Sequence, residues 1–344
     1  MSERPVHGGR LNTAARQWGI PLDEWLDLST GINPVSWPVP PLPLALWQRL
    51  PEDDDGLRDV IRRWASLPDD ADSLPVAGSQ AAIQALPRLR RPCRVGIPVP
   101  GYEEHAHCWA AVGHEVVPFT TNTLEQQLDQ LDVVIWIQPN NPTGEVVPPQ
   151  RLLHWHKHLA ELGGWLIVDE AFVSSHASQS LAAHTHLPGL IILRSLGKFF
   201  GLAGVRAGAV LARPELCQQL DQLLGPWCLS GPTRYIMARA LEDERWQVQT
   251  DQALQLASAR LHDLLGSHGL PPAGGTSLFR YIRHEQAAPI ANALARLGIL
   301  VRLFEAPLAL RFGLPATESQ WQRLAMGLIH PEVRKLSQVF QRQT

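Results

Sequence analysis

An α/β fold, with a large, mostly parallel sheet domain and a smaller α+β domain, is predicted for this sequence by three observations. Short apolar runs alternate with helix-length segments, polar residues with chemical potential follow those runs, and the texture changes beyond about residue 270. The runs are Arg94–Val99, Val133–Ile137, Trp165–Val168, Leu190–Leu193 and Ala207–Leu211. Near-continuous Val, Ile and Leu strands between helices belong in a sheet covered on both faces.

Residues 1–44 are irregular and carry Pro34, Pro38, Pro40, Pro41 and Pro43, which suits an arm contributing to the small domain and the active site. Residues 45–230 are expected to form the large domain, and 231–344 a linking helix and the C-terminal small domain. Ser230 to about Gly266 reads as one long helix. The small domain is expected to hold strands at Ser277–Ile282, Ile299–Leu303 and Leu308–Phe312, with helices at Ala288–Leu297 and Glu318–Ile329.

Of 344 residues, 45% are hydrophobic and 18% charged, enough for a core and too apolar for intrinsic disorder. A net charge of −3 gives no field to hold a nucleic acid or an anionic membrane. No apolar run is long enough to span a bilayer, and the opening residues lack the apolar core of a secretory signal. Cys93, Cys108, Cys217 and Cys228 are widely spaced without a CxxC pair, which points to a reducing, cytoplasmic setting. His154, His156 and His158 read as a solvated helix face, since only the first and last share a face, so no metal is expected.

The segments that carry chemistry follow the strands, where open α/β sheets bind ligands. Gln138-Pro139-Asn140-Asn141-Pro142-Thr143-Gly144 follows one, Asp169-Glu170-Ala171-Phe172 another, and Arg194-Ser195-Leu196-Gly197-Lys198-Phe199 a third, with Arg206 beyond. Upstream, Ala77-Gly78-Ser79-Gln80 opens a helix. Singly, these read as a turn, a helix cap and a surface lysine. Together they suit a pyridoxal 5'-phosphate site. Only three lysines exist (Lys157, Lys198, Lys335), and Lys198 stands where a Schiff base to the cofactor aldehyde would form. Asp169 would sit against the pyridine nitrogen, and Asn141 would donate to the phenolic oxygen. The Gly78, Ser79 and Gln80 amides at a helix N-terminus, with Ser195 and Arg206, would bind the phosphate. Tyr102 would stack on the ring, with His105 as the competing candidate.

On these motifs the chain resembles the fold-type I pyridoxal-phosphate enzymes of the class I/II aminotransferase superfamily, over nearly its whole length. The opening, His7-Gly8-Gly9 and then Leu28-Ser29-Thr30-Gly31-Ile32-Asn33-Pro34, is similar to that of threonine-phosphate decarboxylases of cobalamin biosynthesis. That resemblance implies decarboxylation of O-phospho-L-threonine to (R)-1-amino-2-propanol O-2-phosphate in a homodimer. The alternative is a histidinol-phosphate-type aminotransferase. Arg302 and Arg311 match the family's substrate-anion arginines, and His7, Gly8, Gly31 and Asn141 join them as candidate substrate contacts. Phe172 stands where many transaminases have tyrosine. Arg49-Leu50-Pro51 departs from the family's Arg-Tyr-Pro, and Gly197 from its threonine.

Overall fold

In the computed structural model, residues 5–173 and 178–338 are described. They divide into two compact units, one built from residues 36–141 and 145–248, the other from 6–35, 142–144 and 249 onward.

The first unit is built on a seven-stranded sheet. Its strands are β1 (Asp72–Val76), β2 (Arg94–Pro98), β3 (Glu115–Phe119), β4 (Val133–Ile137), β5 (Trp165–Asp169), β6 (Leu190–Ser195) and β7 (Gly208–Ala212). They lie in the order β1-β7-β6-β5-β4-β2-β3. Neighbours pair in parallel except where β7 meets β6 and β1, so β7 alone is reversed. Every residue of β4 is buried, as a strand covered on both faces requires. Trp109, Ile83 and Leu86 pack on one face with Val133, Ile135 and Ile167.

The two edge strands, β1 and β3, have no counterpart among the sequence-predicted runs. Each contains a proline, Pro75 or Pro118, which cannot donate to a ladder and is best accommodated on an edge strand. The expected long helix from Ser230 is two helices, Gly231–Glu242 and Glu244–Ser267. Asp243 breaks it. Its Oδ1 accepts from Trp246 N at 3.0 Å and its Oδ2 from Trp37 Nε1 at 3.0 Å, so the side chain caps the second helix. On the helix Pro149–Glu161, His156 is buried rather than solvated, and its Nε2 is satisfied by Pro188 O at 2.8 Å.

The second unit holds a four-stranded antiparallel sheet of β8 (Gly274–Thr276), β9 (Phe279–Arg283), β10 (Arg302–Glu305) and β11 (Leu308–Gly313), ordered β10-β11-β9-β8. Helices Ala287–Arg296 and Glu318–Ile329 accompany it. A two-residue parallel pair, Leu26–Asp27 with Ile299–Leu300, ties the N-terminal arm to this unit. Among the described residues no helix is long and apolar enough to cross a membrane.

Candidate active site

The ends of β4, β5 and β6, with the helix Ser79–Ala85, converge on one pocket of the first unit. Its lining includes Gly78, Ser79, Gln80, Tyr102, Asn141, Asp169, Ser195, Lys198 and Arg206. Thus all nine residues singled out for the cofactor are brought together, with Phe172, Ala171 and Gly197 beside them.

Asp169 ends β5 and is 3% exposed. Its Oδ1 accepts from Ala171 N at 3.0 Å, and its Oδ2 lies 2.9 Å from His105 Nε2. His105 is itself buried and spent on this contact, which leaves the pocket wall to Tyr102. Burial first, then Glu104 and Asp169, hold the Tyr102 phenol well above its ordinary value, so it stays protonated. Lys198 Nζ stands 5.3 Å from the centre of the Phe172 ring. Asn140 Nδ2 donates to Pro100 O at 3.2 Å, clasping the loop that carries Asn141 to the one that carries Tyr102.

The phosphate end is shaped by glycine. Gly78 has φ +73, and a Cβ on it would lie 2.7 Å from Arg206 Nη2. A Cβ on Gly208 would lie 2.7 Å from the Ser79 amide nitrogen. Bare backbone at the start of a helix, with a guanidinium packed against it, is the donor set a phosphate dianion requires. A lysine, a buried carboxylate, an aromatic wall and this cradle in one pocket therefore fit pyridoxal phosphate. Gly197 also has a local reason, since a Cβ there would come within 3.1 Å of Ala203 Cα.

A buried ion pair lies beside the site. Arg194 Nη1 meets Glu170 Oε2 at 2.8 Å, one residue from Ser195 and Asp169 respectively. Glu170 also accepts from Ser180 Oγ at 2.6 Å and Leu181 N at 2.7 Å, while the Arg194 guanidinium lies 4.4 Å from the Trp64 ring centre. Both residues lie inside the Asp169–Phe172 and Arg194–Phe199 segments, but an ion pair between neighbouring strand ends leaves no one-dimensional signal.

The candidate substrate residues His7, Gly8, Gly31, Arg302 and Arg311 all lie in the second unit. Arg302 and Arg311 are cross-strand partners of β10 and β11, and the Phe304 ring centre is 5.1 Å from the first guanidinium and 5.9 Å from the second. Arg311 Nη2 donates to Ser29 O at 2.9 Å, and Arg302 Nη2 donates to Val6 O, directly before His7. Gly9 N donates to Ser29 Oγ at 2.8 Å, and a Cβ on Gly8 would lie 2.4 Å from Ser29 O. Glycine there lets the His7 segment lie against the Ser29 segment; Gly31, two residues on, is buried. Burial, then Arg302, push the Arg311 guanidinium down to about 10, with Asp27 opposing.

Comparison with known proteins agrees with this geometry. The family model for aminotransferase class I and II matches residues 56–340. A threonine-phosphate decarboxylase of Pseudomonas aeruginosa is 51% identical over 94% of this chain and 97% of its own. Another, from Sinorhizobium sp, is 38% identical over 97% of this chain and 100% of its own. Among solved structures, a histidinol-phosphate aminotransferase from Sinorhizobium meliloti in complex with pyridoxal-5'-phosphate superposes with a TM-score of 0.79. At 21% identity it covers 97% of this chain and 96% of its own, and speaks for the fold alone. The chain belongs to the class I and II aminotransferase family.

Proposed function

We propose that this chain is a pyridoxal-phosphate-dependent decarboxylase that converts O-phospho-L-threonine to (R)-1-amino-2-propanol O-2-phosphate, the precursor of the aminopropanol linker of corrinoids. The observation that carries this reading is the 51% identity to a threonine-phosphate decarboxylase over nearly the full length of both chains.

Lys198, Asp169, Asn141, Tyr102, Ser195, Arg206 and the Gly78–Gln80 amides would hold the cofactor. When bound, pyridoxal phosphate supplies the electron sink for breaking the bond between Cα and the carboxylate. Asp169, with its two oxygens engaged by Ala171 N and His105, is held in place to face the pyridine nitrogen. Lys198 Nζ delivers the proton that takes the place of carbon dioxide at Cα. Arg302, Arg311 and His7 hold the carboxylate and phosphate of the substrate, and that grip orients the bond to be broken. Gly8, Gly31 and Asn141 complete the substrate contacts.

A cytoplasmic homodimer is part of the same reading. The dimer is supported by the exposed apolar side chains of Leu44, Trp47 and Leu50, which are 67%, 64% and 64% exposed around the helix Ala45–Gln48. The test of the activity is incubation of the purified holoenzyme with phosphothreonine. Carbon dioxide and the phosphorylated amino alcohol are expected; a keto product formed with 2-oxoglutarate, without gas, would replace the decarboxylase by an aminotransferase.

A further inference from the structure

The Gln80 side chain lies between two groups in the first unit. Its Nε2 donates to Glu104 Oε2 at 2.7 Å, and its Oε1 accepts from the Tyr102 hydroxyl at 3.2 Å. The direction of this chain is fixed by chemistry. A carboxylate only accepts, so the amide NH2 must face Glu104. The amide carbonyl must then face Tyr102, whose hydroxyl must donate. Glu104 lies in the first turn of the helix Glu103–Ala111, where the helix dipole favours its negative charge.

We infer that the Glu104–Gln80 pair is a positioning device that sets the plane of the Tyr102 ring against the cofactor. The inference rests on reading this pocket as a pyridoxal-phosphate site. The hydroxyl oxygen lies on the axis of the second torsion, so anchoring it fixes the first. The preference of a phenolic O–H for the ring plane then ties the rotation of the ring, on which stacking depends, to the direction of the acceptor. Gln80 thereby acts twice. Its backbone N–H, at the start of the helix Ser79–Ala85, is offered to the phosphate, while its side chain steadies the ring. Glu104 touches neither the cofactor nor the substrate in this account; it works through Gln80. A charge-assisted bond from Gln80 to Glu104 is what stops the amide from turning over and presenting its NH2 to the hydroxyl.

The test is titration of the apo-forms of wild type, Glu104→Ala, Glu104→Gln, Tyr102→Phe and the Glu104→Ala/Tyr102→Phe double variant with pyridoxal phosphate. Binding is followed by fluorescence and the visible circular dichroism of the bound cofactor. Loss of one such bond is expected to raise the dissociation constant about three- to tenfold in each alanine or phenylalanine single variant and to weaken the dichroic band. The double variant is expected to match Tyr102→Phe, because Glu104 has nothing left to act on. Glu104→Gln, which can accept but lacks the charge, should fall between, and serves if the alanine variant does not fold. An unchanged constant and band in both Glu104 variants, or effects that add in the double variant, would overturn the inference and leave the cofactor reading standing. Failure of the wild type to bind pyridoxal phosphate would sink both.

Discussion

Arg302 and Arg311 stand directly opposite each other on neighbouring antiparallel strands, two like charges in register. Such pairs repel, and here one partner is buried. Phe304, Phe279 and the Ser29 carbonyl lie against the Arg311 guanidinium, and Asp27 contributes a favourable charge. A cross-strand arginine pair of this kind suits an anionic ligand such as the proposed substrate.

Anion binding should therefore stabilise the protein through Arg311. Its folded-state value of about 10 lies below the ordinary arginine value. The charged form thus costs stability at all pH below about 10, and the cost is relieved only as pH rises above that. Near neutrality the cost is constant, so only a counter-charge can offset it. Phosphothreonine is expected to raise the melting temperature of the wild type and to lose that effect in Arg311→Met. The same variant should lower kcat/KM about ten- to hundredfold, the loss of one charged hydrogen-bonding group. Differential scanning fluorimetry with and without substrate, beside steady-state kinetics, checks both.

His105→Phe should leave Asp169 Oδ2 buried without the partner it has at 2.9 Å. An orphaned buried acceptor costs about 1–3 kcal/mol, so thermal unfolding should shift down. Because the carboxylate then loses one of its two orienting contacts, kcat is expected to fall more than KM rises. A variant with wild-type kcat would show that Asp169 needs no help from His105.

The sequence carried most of the first unit's site, for a physical reason. Asn141, Asp169 and Lys198 lie in short segments that end consecutive buried strands, so apolar runs and motifs mark the same places. The Gly78 cradle was legible because a glycine before a helix start is a local feature. What stayed hidden depends on pairing between elements. The Glu170–Arg194 contact joins the residue after one strand to the neighbouring strand, and His105 meets Asp169 across 64 residues. The edge strands were hidden by Pro75 and Pro118, which read as breakers until the sheet order places them at its margins. The break at Asp243 was equally invisible, since helical periodicity continues on both sides of it.

Glu170→Gln should be strongly destabilising even though it preserves shape. Its single amide oxygen can replace only one of the two carboxylate oxygens, so either Leu181 N or the side shared by Ser180 and Arg194 would face an NH2. Arg194, only 4% exposed, would lose this counter-charge. Removing one member of a buried pair typically costs about 3–5 kcal/mol. Chemical denaturation is expected to find a loss in that range. A paired Glu170→Met/Arg194→Met change should cost less than the single one, since no uncompensated charge remains.

Gly78→Ala isolates the phosphate cradle from the ring. Alanine is strained at φ +73, and its Cβ would press on Arg206 Nη2 at 2.7 Å. The guanidinium must then move, and moving it should weaken the grip on the cofactor phosphate while Lys198 and Asp169 stay in place. Affinity for pyridoxal phosphate should therefore fall by about tenfold or more, with the visible absorption band still formed at saturating cofactor. Lys198→Ala is expected to do the opposite, retaining the phosphate cradle and abolishing the band. Comparing the two variants by absorption titration separates the covalent from the electrostatic anchor, and a Gly78→Ala protein that binds as tightly as wild type would remove Gly78 and Arg206 from the phosphate site.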